Sequence, residues 1–228
     1  MNKLLYLVLS VLVLAVSISV HETAHAAAAY FLGDRTASSR GRISLNPLDH
    51  VDPFGTIVLP LLMMFAGGPV FAFAKPVPVS LYNLKNPKRD EVLISLAGPV
   101  SNILLALLGT GLYALYLRMA VASPLGYNYE AVSMAMYFFG TFLSVNLSLA
   151  FFNLIPLPPL DGSSILVPFL KGNALRTYYQ IQQYSMPILI MVLWILPSVL
   201  HIDLIGMYFN LTVNPLYALL VKTAFSVL

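Results

Sequence analysis

The chain has 228 residues, of which 59% are hydrophobic and only 9% charged, with a formal net charge of +3. A soluble domain carries roughly 25% charged residues, and so few charges cannot cover a water-exposed surface of this size. The mean hydropathy of +0.83 therefore points to one polytopic membrane domain over residues 1–228, and the absence of cysteine excludes disulfides and thiolate metal sites.

Charge-free stretches at residues 4–20, 53–74, 92–117, 131–160, 177–200 and 204–221 set the plan. A spanning helix needs about 20 mostly apolar residues, so an all-α bundle of about five to six transmembrane helices is expected. Lys3 ahead of the first run, with Ala24-His25-Ala26 after it, imitates a cleavable signal. The apolar run resumes over residues 26–32, however, which marks the segment as the first spanning helix. The stretch 53–74 differs from the others, because Pro53, Gly55, Pro60, Gly67, Gly68 and Pro69 disfavour an uninterrupted helix. It reads as a re-entrant hairpin between the first and second spanning helices, with the turn at Gly67-Gly68-Pro69.

Charge asymmetry supports re-entry. With 53–74 dipping in and out, Arg35, Arg40, Arg42, Lys75, Lys85, Lys88, Arg89, Lys171, Arg176 and Lys222 fall on one side, and Lys3 and Arg118 on the other. The positive-inside rule then makes the first side cytoplasmic and puts the amino terminus outside. The basic residues thus serve topology, and the pI of about 9.1 is no sign of nucleic-acid binding.

His21-Glu22-Thr23-Ala24-His25 is an HExxH motif inside an apolar helix. Residues four apart share a helix face, so both imidazoles reach one metal ion, with Glu22 beside them as a proton acceptor. Ionisable groups are costly in hydrocarbon, about 2.5–3.5 kcal/mol for a charged residue at a helix centre, which favours a functional site over an interfacial cluster. A catalytic zinc takes three protein ligands and leaves one position open. Ala28 and Phe31 stand where a metzincin has Gly and His, so the third ligand lies elsewhere. Glu130 falls in an outer loop, Asp90 and Glu91 sit among Lys88 and Arg89, and Asp203 belongs to the opposite face. Asp161 remains, on the same side as His25. Its alternative reading is a turn aspartate before Gly162.

Taken with Gly41-Arg42-Ile43-Ser44-Leu45-Asn46-Pro47, Asp52-Pro53-Phe54-Gly55-Thr56, Lys75-Pro76-Val77-Pro78-Val79, Ala97-Gly98-Pro99-Val100-Ser101-Asn102 and the run Asn153-Leu154-Ile155-Pro156-Leu157-Pro158-Pro159-Leu160-Asp161-Gly162, the chain resembles the site-2 protease family of intramembrane zinc metalloproteases. It is most similar to the compact prokaryotic members without an inserted PDZ or CBS domain. The resemblance covers nearly the whole chain. It implies one zinc ion held by His21, His25 and Asp161, with Glu22 as catalytic base and a polar active-site role for Asn153. Asn153 and Asn102 are the candidates for an oxyanion donor; the alternative for each is satisfying backbone groups near a helix break. Transmembrane proteins are the implied substrates, the lipid bilayer the surroundings, and a prokaryotic cell membrane the location, with the active site towards the cytoplasm. The scissile carbonyl of a helical substrate is already hydrogen-bonded, so the substrate must unwind locally. The 67–69 turn and its flanks would offer a strand edge to receive it.

Two competing classes predict different behaviour. A transporter would also use broken helices and buried charges, but it calls for inverted repeats, and none is visible. A catalytically silent relative would bind metal without turnover. His50 reads as a solvated loop histidine, and Tyr178, Tyr179, Tyr184 and Trp194 as interfacial or packing residues. Asn146-Leu147-Ser148 and Asn210-Leu211-Thr212 match the glycosylation pattern but lie in apolar segments, so the matches are read as coincidental. Substrate identity and oligomeric state are not legible.

Overall fold

A computed structural model describes residues 3–65, 73–122 and 129–226 of the chain. In order, the helices are α1 (Lys3–Phe31), α2 (Thr36–Ser39), α3 (Leu59–Phe65), α4 (Pro87–Val121), α5 (Tyr129–Asn153), α6 (Gly172–Gln182), α7 (Ser185–Ile190), α8 (Leu196–Leu200), α9 (Leu204–Leu211) and α10 (Val213–Phe225). No strand occurs among the described residues. Among the described residues, four helices can cross a membrane by length and composition: α1, α4, α5 and the unit Leu204–Phe225. A fifth span arises if α6 and the unit Ser185–Leu200 count as one, bent by 72°.

The centre is a three-helix sandwich. Along α1, Ser17 and His25 meet Asn102 and Ile94 of α4, so these two helices run antiparallel. Ser10 and His21 reach α5 through Tyr137 and, by way of Asn102, Asn146, so α5 runs parallel to α1. α10 closes the far side, where Leu220 and Val213 join Ala106, Leu143 and Leu147 in the core. Burial is the reverse of that in a soluble bundle. Ser17, Ser19, His21, His25, Asn102, Thr110 and Asn146 are buried, whereas Leu7, Val11 and Leu12 of α1 and Leu104, Leu107 and Leu108 of α4 face outward. Outward leucines cost nothing against lipid tails, and inward polar groups find partners only in the bundle. The chain is a multi-pass membrane protein.

The 53–74 stretch returns to where it left. Asp52 caps a wide helical turn over Pro53–Val58 by accepting from the Gly55 amide at 2.7 Å, and α3 follows. The chain then comes back beside its own start. The Phe73 amide donates to the Gly55 carbonyl at 3.1 Å and the Lys75 amide to the His50 carbonyl at 2.9 Å. Both ends of the excursion therefore lie together, as re-entry requires. The helical part, Pro53–Met63 by apolarity, is too short for a span. The expected turn at Gly67-Gly68-Pro69 lies outside the described residues. From Phe73 to Ser80 the chain has no helix, and Ser80 is tied down through its amide to the Asp34 carboxylate at 2.7 Å.

Two expected spans are broken. The 177–200 stretch bends between Gln182 and Ser185, because Pro187 has no amide hydrogen to continue the α6 ladder and sits instead in the first turn of α7. The 131–160 stretch stays helical only to Asn153. Beyond it, Pro156, Pro158 and Pro159 deny the backbone helical donors, and the chain folds back until a 3-10 helix begins at Asp161.

Candidate active site

α1 carries His21 and His25 on the face that meets α4. Each imidazole is held from behind through Nδ1. His25 Nδ1 lies 2.7 Å from the Ile94 carbonyl, which can only accept, so Nδ1 carries a proton and, in the neutral ring that a metal ligand must be, Nε2 has the lone pair. His21 Nδ1 lies 2.6 Å from Asn102 Oδ1 and is oriented in the same sense. The two Nε2 atoms face each other at 3.0 Å. α4 can come so close because residue 98 is glycine: a Cβ there would stand 2.3 Å from His25 Nε2 and 2.6 Å from His21 Cε1.

Asp161 completes the group from a distant part of the sequence. The proline-rich run after α5 doubles back so tightly that a Cβ on Gly162 would lie 2.2 Å from the Leu154 carbonyl oxygen. This turn places Asp161 Oδ2 3.3 Å from both Nε2 atoms. That oxygen is shielded from solvent and accepts no hydrogen bond among the described residues. Two imidazole lone pairs and a carboxylate oxygen converging without a proton repel one another unless a cation lies among them. All three ligand atoms fall within 4.8 Å of each other. A two-nitrogen, one-carboxylate donor set with an open position is what catalytic zinc takes, so the residues present fit that ion.

The group opens on a cavity of about 380 Å³. Glu22, the residue next to His21, lines it, as does Asn153 at the last turn of α5. The rest of the wall is mainly apolar, with Ile18, Val77, Phe152, Met186 and Leu189 among its contributors. The Asn153 amide nitrogen donates back to the Leu149 carbonyl at 3.0 Å. Asn102 is placed differently from the expectation of an oxyanion donor. It is wholly buried, away from the cavity wall, with Oδ1 on His21 and Nδ2 on the Ser17 carbonyl at 3.2 Å and Asn146 Oδ1 at 2.9 Å. Six expected residues thus divide into a converging trio (His21, His25, Asp161), two cavity residues (Glu22, Asn153) and one supporting residue (Asn102).

Sequence comparison gives the family. The profile described as "Peptidase family M50" matches residues 9–134 and 118–196. The chain is a member of peptidase family M50. It is 39% identical over 206 residues to "Putative zinc metalloprotease YwhC" of Bacillus subtilis, covering 86% of this chain and 87% of that one. It is 32% identical over 200 residues to "Putative zinc metalloprotease Rip2" of Mycolicibacterium smegmatis, covering 86% and 71%. The Rip2 of Mycobacterium tuberculosis strain H37Rv is 31% identical over 183 residues, covering 80% and 65%. No solved structure gives a significant match. Membership of the family makes the chain a zinc metalloprotease by class.

In this M50 peptidase, some supporting residues were not singled out by sequence reasoning. Asn146 was set aside as an accidental glycosylation match, yet it is fully buried against Asn102. A signal existed, since an amide in the middle of an apolar helix must find a partner. His50 is buried instead of solvated, with Nε2 2.7 Å from the Ser44 carbonyl. The 40–50 loop folds onto the end of α1, where Thr23 Oγ1 donates to the same carbonyl. Tyr178 and Tyr179 act in packing, their hydroxyls at Ser163 Oγ and Glu91.

Proposed function

We propose that the chain, acting as a single domain over residues 1–228, is an intramembrane endopeptidase. It would hydrolyse peptide bonds in or near transmembrane segments of other membrane proteins, using one zinc ion per chain held by His21, His25 and Asp161. The observation that carries this reading is the convergence of three potential ligand atoms in the wall of a mainly apolar cavity that is also lined by an acid, Glu22, and an amide, Asn153.

Zinc held there supplies Lewis acidity, polarising a carbonyl and making a water easier to deprotonate. Glu22 takes the proton from the attacking water and passes one to the departing amide nitrogen. Asn153, which lines the cavity, would donate to the substrate's carbonyl oxygen as negative charge develops there, once its amide turns from Leu149. The buried Nδ1 contacts of His21 and His25 keep both rings facing the reaction centre.

The stretch from Phe73 to Ser80 suits an unwound substrate. Phe73, Ala74, Pro76, Val77 and Val79 line the cavity. Pro76 and Pro78 have no amide hydrogen, whereas the Val77 and Val79 amides make no hydrogen bond among the described residues. An extended substrate can add to such an edge through main-chain bonds, and the apolar wall favours apolar side chains. The distribution of Lys and Arg supports a site towards the cytoplasmic face of a prokaryotic cell membrane.

The test is zinc content and turnover together. Detergent-purified wild type is expected to hold one zinc per chain and to cleave a membrane-spanning reporter, while Glu22→Gln keeps the zinc and does not cleave. Cleavage by Glu22→Gln at the wild-type rate overturns the mechanism, and a folded, zinc-reconstituted wild type without zinc overturns the metal centre.

A further inference from the structure

We infer that Asn146 of α5 and Asn102 of α4 act in series as positioning residues, a directional amide relay that locks His21 into the tautomer presenting Nε2 to the metal. This rests on the metal centre proposed above and concerns what holds it.

The direction of the relay follows from the groups at its ends. The Asn146 Nδ2 donates to the Phe142 carbonyl at 2.9 Å. A carbonyl only accepts, so the amide of Asn146 cannot be flipped, and its Oδ1 must face Asn102. That oxygen accepts from Asn102 Nδ2 at 2.9 Å, and the same Nδ2 reaches the Ser17 carbonyl at 3.2 Å. Two acceptors on one side of Asn102 force its own Oδ1 to the other side, towards His21 Nδ1 at 2.6 Å. His21 must then be protonated on Nδ1, which leaves the Nε2 lone pair directed at His25 and Asp161.

Burial makes the order stringent. Asn102 and Asn146 are both 0% exposed, so water cannot substitute for a lost partner, and a reversed amide would set acceptor against acceptor in an apolar interior. His25 needs no such relay, because the Ile94 carbonyl fixes it directly. The relay also links all three central helices, α1, α4 and α5, at the level of the metal ligands. Asn146 itself touches neither cavity nor ligand; its effect is exerted through Asn102.

The experiment measures zinc dissociation constants of the full chain in detergent by chelator competition, with the visible spectrum of the cobalt-substituted protein alongside. Folding of each metal-free variant is checked by thermal unfolding. Removing an outer partner of a metal-bound histidine costs roughly 10- to 100-fold in metal affinity. Asn102→Leu is expected to fall in that range with an altered cobalt spectrum, and Asn146→Leu to weaken zinc by about 10-fold at its lower end. Asn102→Asp keeps an acceptor for His21 Nδ1 but sets its second oxygen against the Ser17 carbonyl and Asn146 Oδ1, so it should stay well below wild-type affinity, and full recovery of affinity overturns the relay. The double variant Asn102→Leu/Asn146→Leu should bind zinc no more weakly than Asn102→Leu alone, because the two positions act in one chain. If Asn146→Leu does not fold, Asn146→Ser, too short to reach Asn102, is measured in the same way. Wild type that holds zinc while the folded Asn146 variant is unchanged, or multiplicative losses in the double variant, overturns the relay alone. Wild type that holds no zinc overturns the metal centre itself.

Discussion

Gly98 and His25 are in contact across the α4–α1 interface, and the contact has no room for one more carbon: a Cβ on Gly98 would stand 2.3 Å from His25 Nε2. The imidazole, not a flexible chain end, is what would have to move. Gly98→Ala is therefore expected to push both imidazole rings off position at an overpacking cost of about 1–3 kcal/mol. Misplacement of about 1 Å at a reaction centre costs on the order of 100-fold in rate. Zinc content and reporter cleavage should fall together while the helical circular dichroism persists; full zinc and full activity in Gly98→Ala would contradict the geometry.

Gly162 plays the matching part for Asp161. Its missing Cβ lets the proline-rich run fold against the Leu154 carbonyl, 2.2 Å from where that carbon would be. Gly162→Ala should shift Asp161 and weaken zinc binding by roughly 10-fold or more, approaching Asp161→Ala. Chelator competition on the two variants, side by side, checks this; unchanged affinity in both would remove Asp161 from the metal.

Glu22 lines the cavity next to the histidines without belonging to the converging trio. Glu22→Gln should thus leave zinc affinity within a few-fold and reduce kcat by about 100- to 10,000-fold, the usual span for a positioned acid or base. Single-turnover cleavage of the membrane-spanning reporter, with metal analysis of the same sample, reads both effects.

Val77 supplies one of the few amides that Pro76 and Pro78 leave available beside the cavity. Val77→Pro deletes that donor with little change of side-chain volume. Losing one main-chain bond of about 1 kcal/mol should raise KM roughly 5-fold and spare kcat and zinc. A KM unchanged by Val77→Pro would argue that substrate does not pair here.

Asp34 holds the return of the hairpin. Its buried carboxylate accepts from the Thr36 amide and hydroxyl, the Ser80 amide and Asn83 Nδ2. Burial by itself would push its pKa up, but the bonds from Thr36, Asn83 and Ser80 prevail and hold it below its ordinary value of 3.8. A carboxylate with a depressed folded pKa stabilises the fold fully above its unfolded pKa, and this contribution is lost as pH falls through the folded value. Acidification below about pH 4 should therefore loosen this tie. Asp34→Ala, leaving buried donors without an acceptor, should cost about 1–3 kcal/mol at neutral pH and flatten that acid dependence. Thermal unfolding of both proteins across pH 3–7 would show an unchanged slope if Asp34 carried none of it.

Much of this site was legible because it is local. The i, i+4 spacing of His21 and His25 puts two imidazoles on one face of any helix, and Glu22 follows from the same five residues. Asp161 was reachable by side-of-membrane argument, since charge asymmetry is a property of the sequence. Asn102 was recognised as a polar residue of the site, either an oxyanion donor or a partner for backbone groups, without its contact to His21 being foreseen, and Asn146 was set aside. Which way an amide faces depends on how one helix is rotated against its neighbour. The broken span at Pro187 and the end of α5 at Asn153 were hidden by hydropathy, which records apolar length and not the ladder bonds that proline interrupts.

The sequence by itself determined a membrane bundle with a re-entering loop and a two-histidine, one-acid motif buried in its first helix, because apolar length, charge asymmetry and helical spacing are written residue by residue. Only the tertiary structure decided that Gly98 would admit the histidines against α4, that the Pro156–Gly162 turn would swing Asp161 onto them, and that two asparagines would stand in series behind His21. In an apolar interior each of those polar groups must find its partner within the protein, and the partners come from helices far apart in the chain. Their meeting is fixed by which faces pack together, a relation no single segment contains.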